Sequence, residues 1–320
     1  MRVLVTGGAG FIGANLVRRL AARGVDTVVL DDLSTGRLAN LDGLDVRFVE
    51  ASVLDRAALD DALGGADAVV HLAALPSVPR SVADPVACHD ANVTGTVEVL
   101  EACRRAGTGH VVVASSSSVY GANPDLPKRE SMRTAPLSPY AVSKLAAESY
   151  ALAYRHCYGL DVLAFRFFNV FGPLQPADHA YAAVVPRFVE AALAGRPLTL
   201  FGDGEQSRDF TFVGTVCDVI ADALARHVVC DTPVNLAFGS RTTLNALVGL
   251  LEVLLGRPVA REHTSPRPGD VRDSQADATL LHGLFPGVRA VPLPDGLQAT
   301  VSWFESRALA SGLAGQPTTT

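Results

Sequence analysis

The sequence predicts an α/β fold, with a doubly wound parallel sheet and a smaller, irregular α/β domain. Short runs of β-branched residues alternate with helical patterns over the first half of the chain, which is typical of a parallel sheet covered by helices. Several of these runs are apolar at every position, as in strands that are buried on both faces. The chain has 320 residues, 48% of them hydrophobic, which is ample material for such a core.

The elements of the first half follow in order from these patterns. Strands are predicted at residues 2–6, 27–30, 46–49, 68–71, 110–114 and 162–167. Helices are predicted near residues 12–23, 56–63, 85–105 and 139–158.

The pattern changes after Asn169, where repeated prolines divide the chain into short pieces. Helices are predicted at 184–194 and 243–255, and segment 212–237 is expected to return to the first domain as a helix and a strand. We therefore predict a first domain of residues 1–168 with 212–237, and a second of 169–211 and 238–310. Residues 311–320 are expected to form a flexible tail.

Composition and charge exclude several classes of protein. Lys and Arg number 27 against 33 Asp and Glu, with no basic run, so no nucleic-acid partner is expected. The longest apolar run, 246–255, contains Glu252 and is far shorter than the roughly 18 residues of a membrane span. The N-terminus does not resemble a signal peptide. Five scattered cysteines without paired spacing predict free thiols in a reducing cytoplasm, with no metal site and no disulfide framework.

A glycine-rich turn follows the first predicted strand at once. It reads Gly7-Gly8-Ala9-Gly10-Phe11-Ile12-Gly13 and opens a helix. Glycines allow a tight turn, close approach of backbone N–H groups to a pyrophosphate, and close packing of helix on strand. Asp31 ends the second strand, 18 residues after Gly13. A carboxylate there accepts hydrogen bonds from ribose and repels a 2′-phosphate, so the sequence predicts NAD rather than NADP in a Rossmann domain.

A second group of residues predicts oxidation chemistry. The strand at 110–114 runs into Ser115-Ser116-Ser117-Ser118, and Ser138-Pro139 starts a helix that carries Tyr140 and Lys144 on one face. An ammonium and the positive nicotinamide ring are expected to lower the pKa of the Tyr140 phenol. Tyr140 can then remove a hydroxyl proton while hydride leaves the same carbon, with a serine hydroxyl orienting the substrate.

Together these motifs resemble the extended short-chain dehydrogenases/reductases, in particular the NAD-dependent nucleotide-sugar epimerases and dehydratases. The resemblance covers nearly the whole chain and is closest to UDP-hexose and UDP-N-acetylhexosamine 4-epimerases. Further motifs that carry it are Asp31-Asp32, His71-Leu72-Ala73-Ala74, Asn92-Val93, the segment 166–173 (RFFNVFGP), the segment 202–210 (GDGEQSRDF) and the segment 267–270 (RPGD).

The resemblance implies a role for individual residues. Those expected to bind NAD are Gly7, Gly10, Phe11, Ile12, Gly13, Asp31, Asp32, Ser34, Thr35, Gly36, Ser52, Val53, Leu72, Ala73, Ala74, Asn92, Ser115, Tyr140, Lys144 and Phe168. Those expected to be catalytic are Ser116, Tyr140 and Lys144. Those expected to bind a UDP-sugar are Ser116, Ser117, Tyr140, Asn169, Val185, Arg208, Arg267, Asp270 and Ser274. Arginine suits the diphosphate because its fork of donors matches phosphate oxygens.

Two positions depart from the family pattern. The acid that usually contacts adenine after the third strand is replaced by Ser52, and the usual Tyr-Val-Asp-Asp stretch reads Phe212-Val213-Gly214-Thr215. The adenine contact of Ser52 and any role for acids near 214 therefore lose support.

The residues after Ser116 favour one reaction among those of the family. Family 4,6-dehydratases carry Asp and Glu at the positions of Ser117 and Ser118, and UDP-glucuronate decarboxylases carry Glu at the second. Two hydroxyls here favour reversible 4-epimerisation through a 4-keto sugar, a reaction without net oxidation in which NAD is expected to stay tightly bound. A dehydratase, a decarboxylase, a 4-ketoreductase and a non-catalytic NAD-binding sensor stay open as alternatives.

The substrate sugar is less determined by the sequence. The small Ser274 permits an N-acetyl group, so UDP-GlcNAc/GalNAc, UDP-Glc/Gal and UDP-GlcA/GalA are all candidates, with Arg80 or Arg272 as partners for a uronate. Helices at 93–105 and 140–158 resemble a homodimer interface of the family.

Overall fold

The computed structural model describes residues 1–178, 182–265 and 272–310. Its strands in chain order are β1 (Arg2–Thr6), β2 (Asp26–Asp31), β3 (Arg47–Glu50), β4 (Ala68–His71), β5 (His110–Ser116), β6 (Asp161–Phe167), β7 (Val170–Phe171), β8 (Leu198–Phe201), β9 (Ser207–Arg208), β10 (Thr211–Phe212), β11 (Val234–Leu236), β12 (Thr242–Thr243) and β13 (Arg261–Thr264).

The helices in chain order are α1 (Phe11–Ala21), α2 (Arg56–Leu63), α3 (Val78–Ala83), α4 (Pro85–His89), α5 (Gly95–Ala106), α6 (Pro139–Tyr158), α7 (Val184–Leu193), α8 (Val213–Arg226), α9 (Leu244–Leu255), α10 (Thr279–Leu284) and α11 (Leu293–Ala310). A wide turn at Asp90–Thr94 joins α4 to α5, and a tight turn at Ser117–Tyr120 follows β5.

Seven of the strands form one parallel sheet in the order β11-β6-β5-β4-β1-β2-β3. The strand order reverses between β1 and β4, which places a crevice outside their carboxyl ends. The predicted α/β fold with a doubly wound parallel sheet is confirmed. Segment 212–237 supplies α8 and then β11, which pairs in parallel with β6.

Apolar side chains cover both faces of the sheet. One cluster joins β1, β6 and β11 to α1, α8 and α10, and the other joins β4 and β5 to α2, α5 and α6. Val69 and Val70 of β4 are both fully buried, although they point to opposite faces. This double burial is the reason why the strands are apolar at successive positions.

A separate apolar cluster lies among α7, α9, α11 and β8. This smaller region also contains the short parallel pair β8–β13 and several two-residue strands. It is irregular, as predicted. No helix was predicted beyond residue 255, yet α11 packs against α7 and α9. Within the described ranges, no helix is long and apolar enough to cross a membrane.

Candidate active site

The glycine-rich turn is shaped by two close backbone contacts. Gly7 has a φ of 70°, and a side-chain carbon added there would lie 2.6 Å from the amide nitrogen of Ala73. One added at Gly13 would lie 2.1 Å from the carbonyl oxygen of Gly7. Only glycine fits these positions, so the turn brings backbone N–H groups and the start of α1 to the edge of the crevice.

A cavity of about 710 Å³ lies along the carboxyl ends of the strands, beginning at this turn. Most of the residues predicted to bind NAD lie in its walls: Gly7, Gly10, Phe11, Ile12, Gly13, Asp31, Asp32, Ser34, Thr35, Ser52, Val53, Leu72, Ala73, Ala74, Ser115, Tyr140 and Lys144. Its volume is that of a site for a large cofactor, and the glycine turn at one end suits a pyrophosphate. The residues present therefore fit NAD.

Three residues predicted to bind NAD lie outside these walls. Phe168 is fully buried with Val119 and Tyr120, and its neighbour Phe167 lines the cavity instead. Asn92 is also buried. Gly36 packs on the carboxylate of Asp31, where an added carbon would lie 2.9 Å from Oδ1. All three residues therefore pack against other parts of the protein and do not line the cavity as predicted.

Asn92 has a positioning role that the sequence pattern did not show. Its Oδ1 accepts a hydrogen bond from the amide of Leu75 at 2.7 Å, and its Nδ2 donates to Ser143 Oγ at 2.9 Å. The side chain thus connects the wall segment after β4 to α6.

Asp31 supports the glycine turn from the end of β2. Its Oδ2 accepts the amide of Ala9 and its Oδ1 accepts the amide of Leu33, both at 2.9 Å. Burial raises the pKa of the carboxyl, although the two amides act in the opposite direction. The carboxylate therefore fixes the turn and also faces the cavity, where a ribose would bind.

Ser116, Tyr140 and Lys144 line the other end of the same cavity. Ser116 is the last residue of β5, and α6 begins where Ser138 Oγ accepts the amide of Ala141 at 3.2 Å. Lys144 Nζ donates to the carbonyl oxygen of Ala114 at 2.9 Å. The three residues that the sequence predicts to be catalytic are thus brought together by the end of one strand and the first turns of one helix.

Burial favours the neutral form of both ionisable groups in this set. It raises the pKa of Tyr140, against the hydrogen bond with Ser116, which lowers it. It lowers the pKa of Lys144 to about 8. In the polypeptide alone, desolvation thus outweighs the hydrogen bond with Ser116, and the lowered pKa expected for Tyr140 stays a prediction for the complex with NAD.

A second cavity of about 320 Å³ adjoins the first, and Asn169 and Val170 line both. Its walls include Val185 and Arg208, both predicted to bind substrate, together with Arg187, Phe201 and Phe210. Asn169 adopts a φ of 32°, and its Nδ2 donates to the carbonyl oxygen of Asp209 at 3.3 Å. The two cavities therefore meet at Asn169 and Val170, in the wall of the cavity that Tyr140 also lines.

Comparison with known proteins identifies the family. Residues 3–237 match the model of the NAD dependent epimerase/dehydratase family. The chain belongs to this family. It is an NAD-dependent enzyme of the extended short-chain dehydrogenase/reductase type.

Individual relatives of this epimerase/dehydratase match it over nearly their whole lengths. A UDP-glucose 4-epimerase of Mycolicibacterium smegmatis is 41% identical over 96% of this chain and 99% of its own. The structure of a UDP-N-acetylglucosamine 4-epimerase from Methanobrevibacter ruminantium, solved with UDP-N-acetylmuramic acid, is 36% identical with a TM-score of 0.90, covering 96% of this chain and 98% of its own. A dTDP-glucose 4,6-dehydratase of Xanthomonas campestris is 34% identical over 94% and 92%.

The other residues predicted to bind the substrate of this epimerase/dehydratase either do not line the two cavities or are not among the described residues. Ser117 lies in the tight turn after β5, and the amide of Ser274 donates to the carbonyl oxygen of Ser207 at 3.1 Å. Arg267 and Asp270 lie outside the described residues.

The turn after β5 carries hydroxyl groups next to Ser116, the serine predicted to be catalytic. Ser118 Oγ donates to Ser116 Oγ at 2.9 Å, and the Ser118 amide lies 3.2 Å from the same oxygen. The carboxylates in the described cavity walls are Asp31 at the end of β2, its neighbour Asp32, and Asp90 in the wide turn before α5. None of these acids lies on β5 or on the turn that follows it.

Several wall residues were missed by sequence reasoning. Leu75, Pro76 and Gln175 line the first cavity, and Arg187 and Phe201 line the second. Leu75 and Pro76 directly follow the recognised segment His71–Ala74, which is the signal that could have found them. Arg187 and Phe201 reach the cavity through the packing of α7 on β8, for which the sequence has no local signal.

Proposed function

We propose that this enzyme interconverts the 4-epimers of a UDP-sugar. The observation that carries the proposal is the grouping of Ser116, Tyr140 and Lys144 in one cavity, with hydroxyls on the turn where a dehydratase needs further acids and bases. Elimination of water from carbons 5 and 6 requires a second proton donor and acceptor. Ser118 is instead hydrogen-bonded to Ser116, so the site is equipped for chemistry at one carbon.

The residues of the chain supply the proton chemistry of this reaction. When bound, NAD supplies reversible oxidation of the sugar carbon. Ser116 Oγ orients the 4-hydroxyl, and the Tyr140 phenolate accepts its proton as the O–H bond breaks. Lys144 stabilises that phenolate in its ionised form. The same proton returns from Tyr140 when the 4-keto group is reduced from its other face, so no net oxidation occurs.

The second cavity is suited to the nucleotide end of the substrate. Arg208 and Arg187 place two guanidinium groups in its walls, and Phe201 and Phe210 add aromatic surface. A UDP moiety needs cations for its diphosphate and a flat apolar surface for its base. We therefore place the UDP group in the second cavity and the sugar near Asn169, with Arg267 and Asp270 as further predicted contacts.

Three substrate pairs remain candidates: UDP-GlcNAc/GalNAc, UDP-Glc/Gal and UDP-GlcA/GalA. Arg80 lines the first cavity together with Tyr140, which supports a uronate. The N-acetylhexosamine pair rests on the family resemblance at the small Ser274, which lines neither cavity.

Incubation of the purified enzyme with each UDP-sugar, followed by proton NMR of the anomeric region, tests the proposal. We expect a galacto-configured product without added NAD and without accumulation of NADH. A 4-keto-6-deoxy sugar would indicate a dehydratase, a pentose a decarboxylase, and released NADH a reaction with net oxidation. Absence of any conversion would favour an NAD-binding sensor.

We also propose a homodimer, because apolar side chains are exposed on one group of helices. Val82 of α3, Val86 of α4, and Val142 and Tyr150 of α6 are 44–68% exposed, and α3 and α4 both pack on α6. The predicted contribution of residues 93–105 has less support, because the apolar residues of α5 are buried against the sheet.

A further inference from the structure

A buried ion pair lies on the same face of α6 as the catalytic residues. Tyr140, Lys144 and Glu148 follow one another at intervals of four residues, so they are stacked along the helix. Glu148 Oε1 accepts from Arg166 Nη2 at 2.6 Å, and its Oε2 accepts from Arg166 Nε at 2.9 Å. Both side chains are only 4% exposed. The pair therefore connects α6 to β6 through a two-pronged, fully buried contact.

The same carboxylate also holds the strand that ends in the catalytic serine. Ser115 Oγ donates to Glu148 Oε2 at 2.7 Å. Side chains alternate along a strand, so Ser115 points towards α6 while its neighbour Ser116 engages Ser118. One carboxylate thus fixes both elements that carry the reacting groups.

The buried side of α6 combines small side chains with a few directional contacts to the sheet. Ala141, Ala147 and Ala151 are buried there together with the larger Tyr154, whose hydroxyl donates to Glu101. Because alanine side chains form no hydrogen bonds, directional contacts with β5 and β6 come from the ion pair, from Ser115 and from the bond of Lys144 Nζ to the Ala114 carbonyl oxygen.

Arg166 extends the connection towards the edge strand β11, which pairs with β6. Its guanidinium lies over the ring of Tyr120, 4.8 Å from the centroid. Tyr120 Oη in turn donates to Asn235 Oδ1 of β11 at 2.7 Å. Arg166, Tyr120 and Asn235 are all buried, so the partner of Glu148 is itself held by buried side chains.

A buried ion pair is a poor device for stability alone, since its desolvation offsets much of its attraction. We propose that Glu148, with Arg166 and Ser115, is a positioning residue that sets the distance of Tyr140 and Lys144 from Ser116. The proposal rests on the proposed function of these three residues. A displacement of about 1 Å at a reacting group lowers rates by roughly 100-fold, so the geometry of this contact controls turnover.

The variant Glu148→Gln keeps the shape of the side chain and removes its charge. We expect kcat to fall roughly 10- to 100-fold, with KM for the UDP-sugar within about twofold and bound NAD unchanged. Glu148 does not line either cavity, so loss of a substrate contact would not explain such a fall. The measurement is initial rates by NMR, together with NAD released on denaturation.

A matched pair of variants separates positioning from general stability. Ser115→Ala removes a hydroxyl that donates to a glutamate at 2.7 Å, and Tyr154→Phe removes another, from α6 to Glu101, also at 2.7 Å. We expect kcat to fall several-fold in the first and to stay within twofold in the second, with bound NAD unchanged in both. The NAD measurement is needed because Ser115 lines the first cavity and Tyr154 does not. If Glu148→Gln does not fold, the comparison of Ser115→Ala with Tyr154→Phe still tests the positioning role.

The outcomes distinguish the two proposals. A wild-type enzyme that forms no 4-epimer overturns the proposed function and this inference with it. If the wild type is active, an unchanged kcat in Glu148→Gln, or equal losses in Ser115→Ala and Tyr154→Phe, overturns the positioning role alone.

Discussion

Tyr140 and Lys144 stand in an environment that favours their uncharged forms. Burial raises the pKa of the phenol and lowers that of the ammonium to about 8. Loss of the Tyr140 proton to bulk water is therefore unfavourable, because it leaves a buried phenolate. In the proposed mechanism, the positive charge that stabilises this phenolate comes from Lys144 and from the bound cofactor. Under this mechanism, the phenolate of Tyr140 therefore forms only in the assembled complex with cofactor.

The phenol itself is testable by one substitution. Tyr140→Phe keeps the ring and removes the acid–base group, so we expect kcat to fall at least about 100-fold, the lower range for a general base. Bound NAD should remain near the wild-type amount. An active Tyr140→Phe enzyme would assign proton removal to another residue.

His71 makes a separate prediction about stability and pH. Burial lowers its pKa from 6.5 to about 3, and the positive charge of Lys144 adds to this. Its ring nitrogens lie 2.7 Å from Thr6 Oγ1 and 3.0 Å from Thr96 Oγ1. The folded state therefore holds a neutral imidazole between two hydroxyls at the end of β4.

Because the folded pKa is the lower one, the unfolded chain binds a proton first as the pH falls below 6.5. The stability due to His71 is thus complete above that pH and is lost towards pH 3. We expect the wild type to lose roughly 1.5 kcal/mol more than His71→Gln between pH 6.5 and 5. Denaturant unfolding followed by circular dichroism measures this difference, and parallel pH profiles would contradict it.

At the scale of elements, the glycine turn and α1 act as one unit. Gly13→Ala would force a carbon to within 2.1 Å of the Gly7 carbonyl oxygen, which is backbone and cannot rotate away. We expect the turn to open and bound NAD to fall below about a tenth of the wild-type amount.

Gly249→Ala is the matched control, since Gly249 lies within α9 and an added carbon would meet nothing within 4 Å. This variant should keep its bound NAD, and its free energy of unfolding should rise by about 0.5–1 kcal/mol, the usual difference between Gly and Ala in a helix. Equal NAD contents in the two variants would show that the turn does not hold the cofactor.

Elements with strong local signals were predictable from the sequence. The helix over 56–63 was predicted with its bounds, and in the structure Asp55 caps it by accepting the amide of Ala58. The helix over 139–158 follows from Ser138 and Pro139 in the same way. In both helices, the residue that caps the first turn can be recognised in the sequence.

Other elements depend on tertiary contacts and were missed. The two-residue strands β9 and β12 exist only because they pair with each other. In α11, Gly296 reads as a helix breaker, yet it lets the helix approach the rings of Phe171 and Phe212. The same division applies to the site: the glycines and Tyr140/Lys144 follow from local motifs, whereas the wall position of Arg187 depends on how α7 packs.

At the scale of the whole molecule, two cavities meet at Asn169. The larger lies along the sheet and the smaller adjoins α7 and β8. In the proposed function, the cofactor occupies the larger cavity and the nucleotide the smaller one, so the sugar would lie where they meet. That arrangement would let the 4-keto sugar turn over while its nucleotide stays bound, as the proposed 4-epimerisation requires.

The exposed apolar face of α3, α4 and α6 leads to the last prediction. Isolated valines are common on protein surfaces, but a group of them on helices that pack together indicates an interface. Val86→Lys should convert the dimer to a monomer, because an ammonium would be buried without a partner between two copies. Val253→Lys on α9 is the matched control, since Val253 is 78% exposed and Val86 is 68% exposed. Sedimentation velocity should show dimers for the wild type and Val253→Lys and monomers for Val86→Lys, while a monomeric wild type would assign this face to another partner.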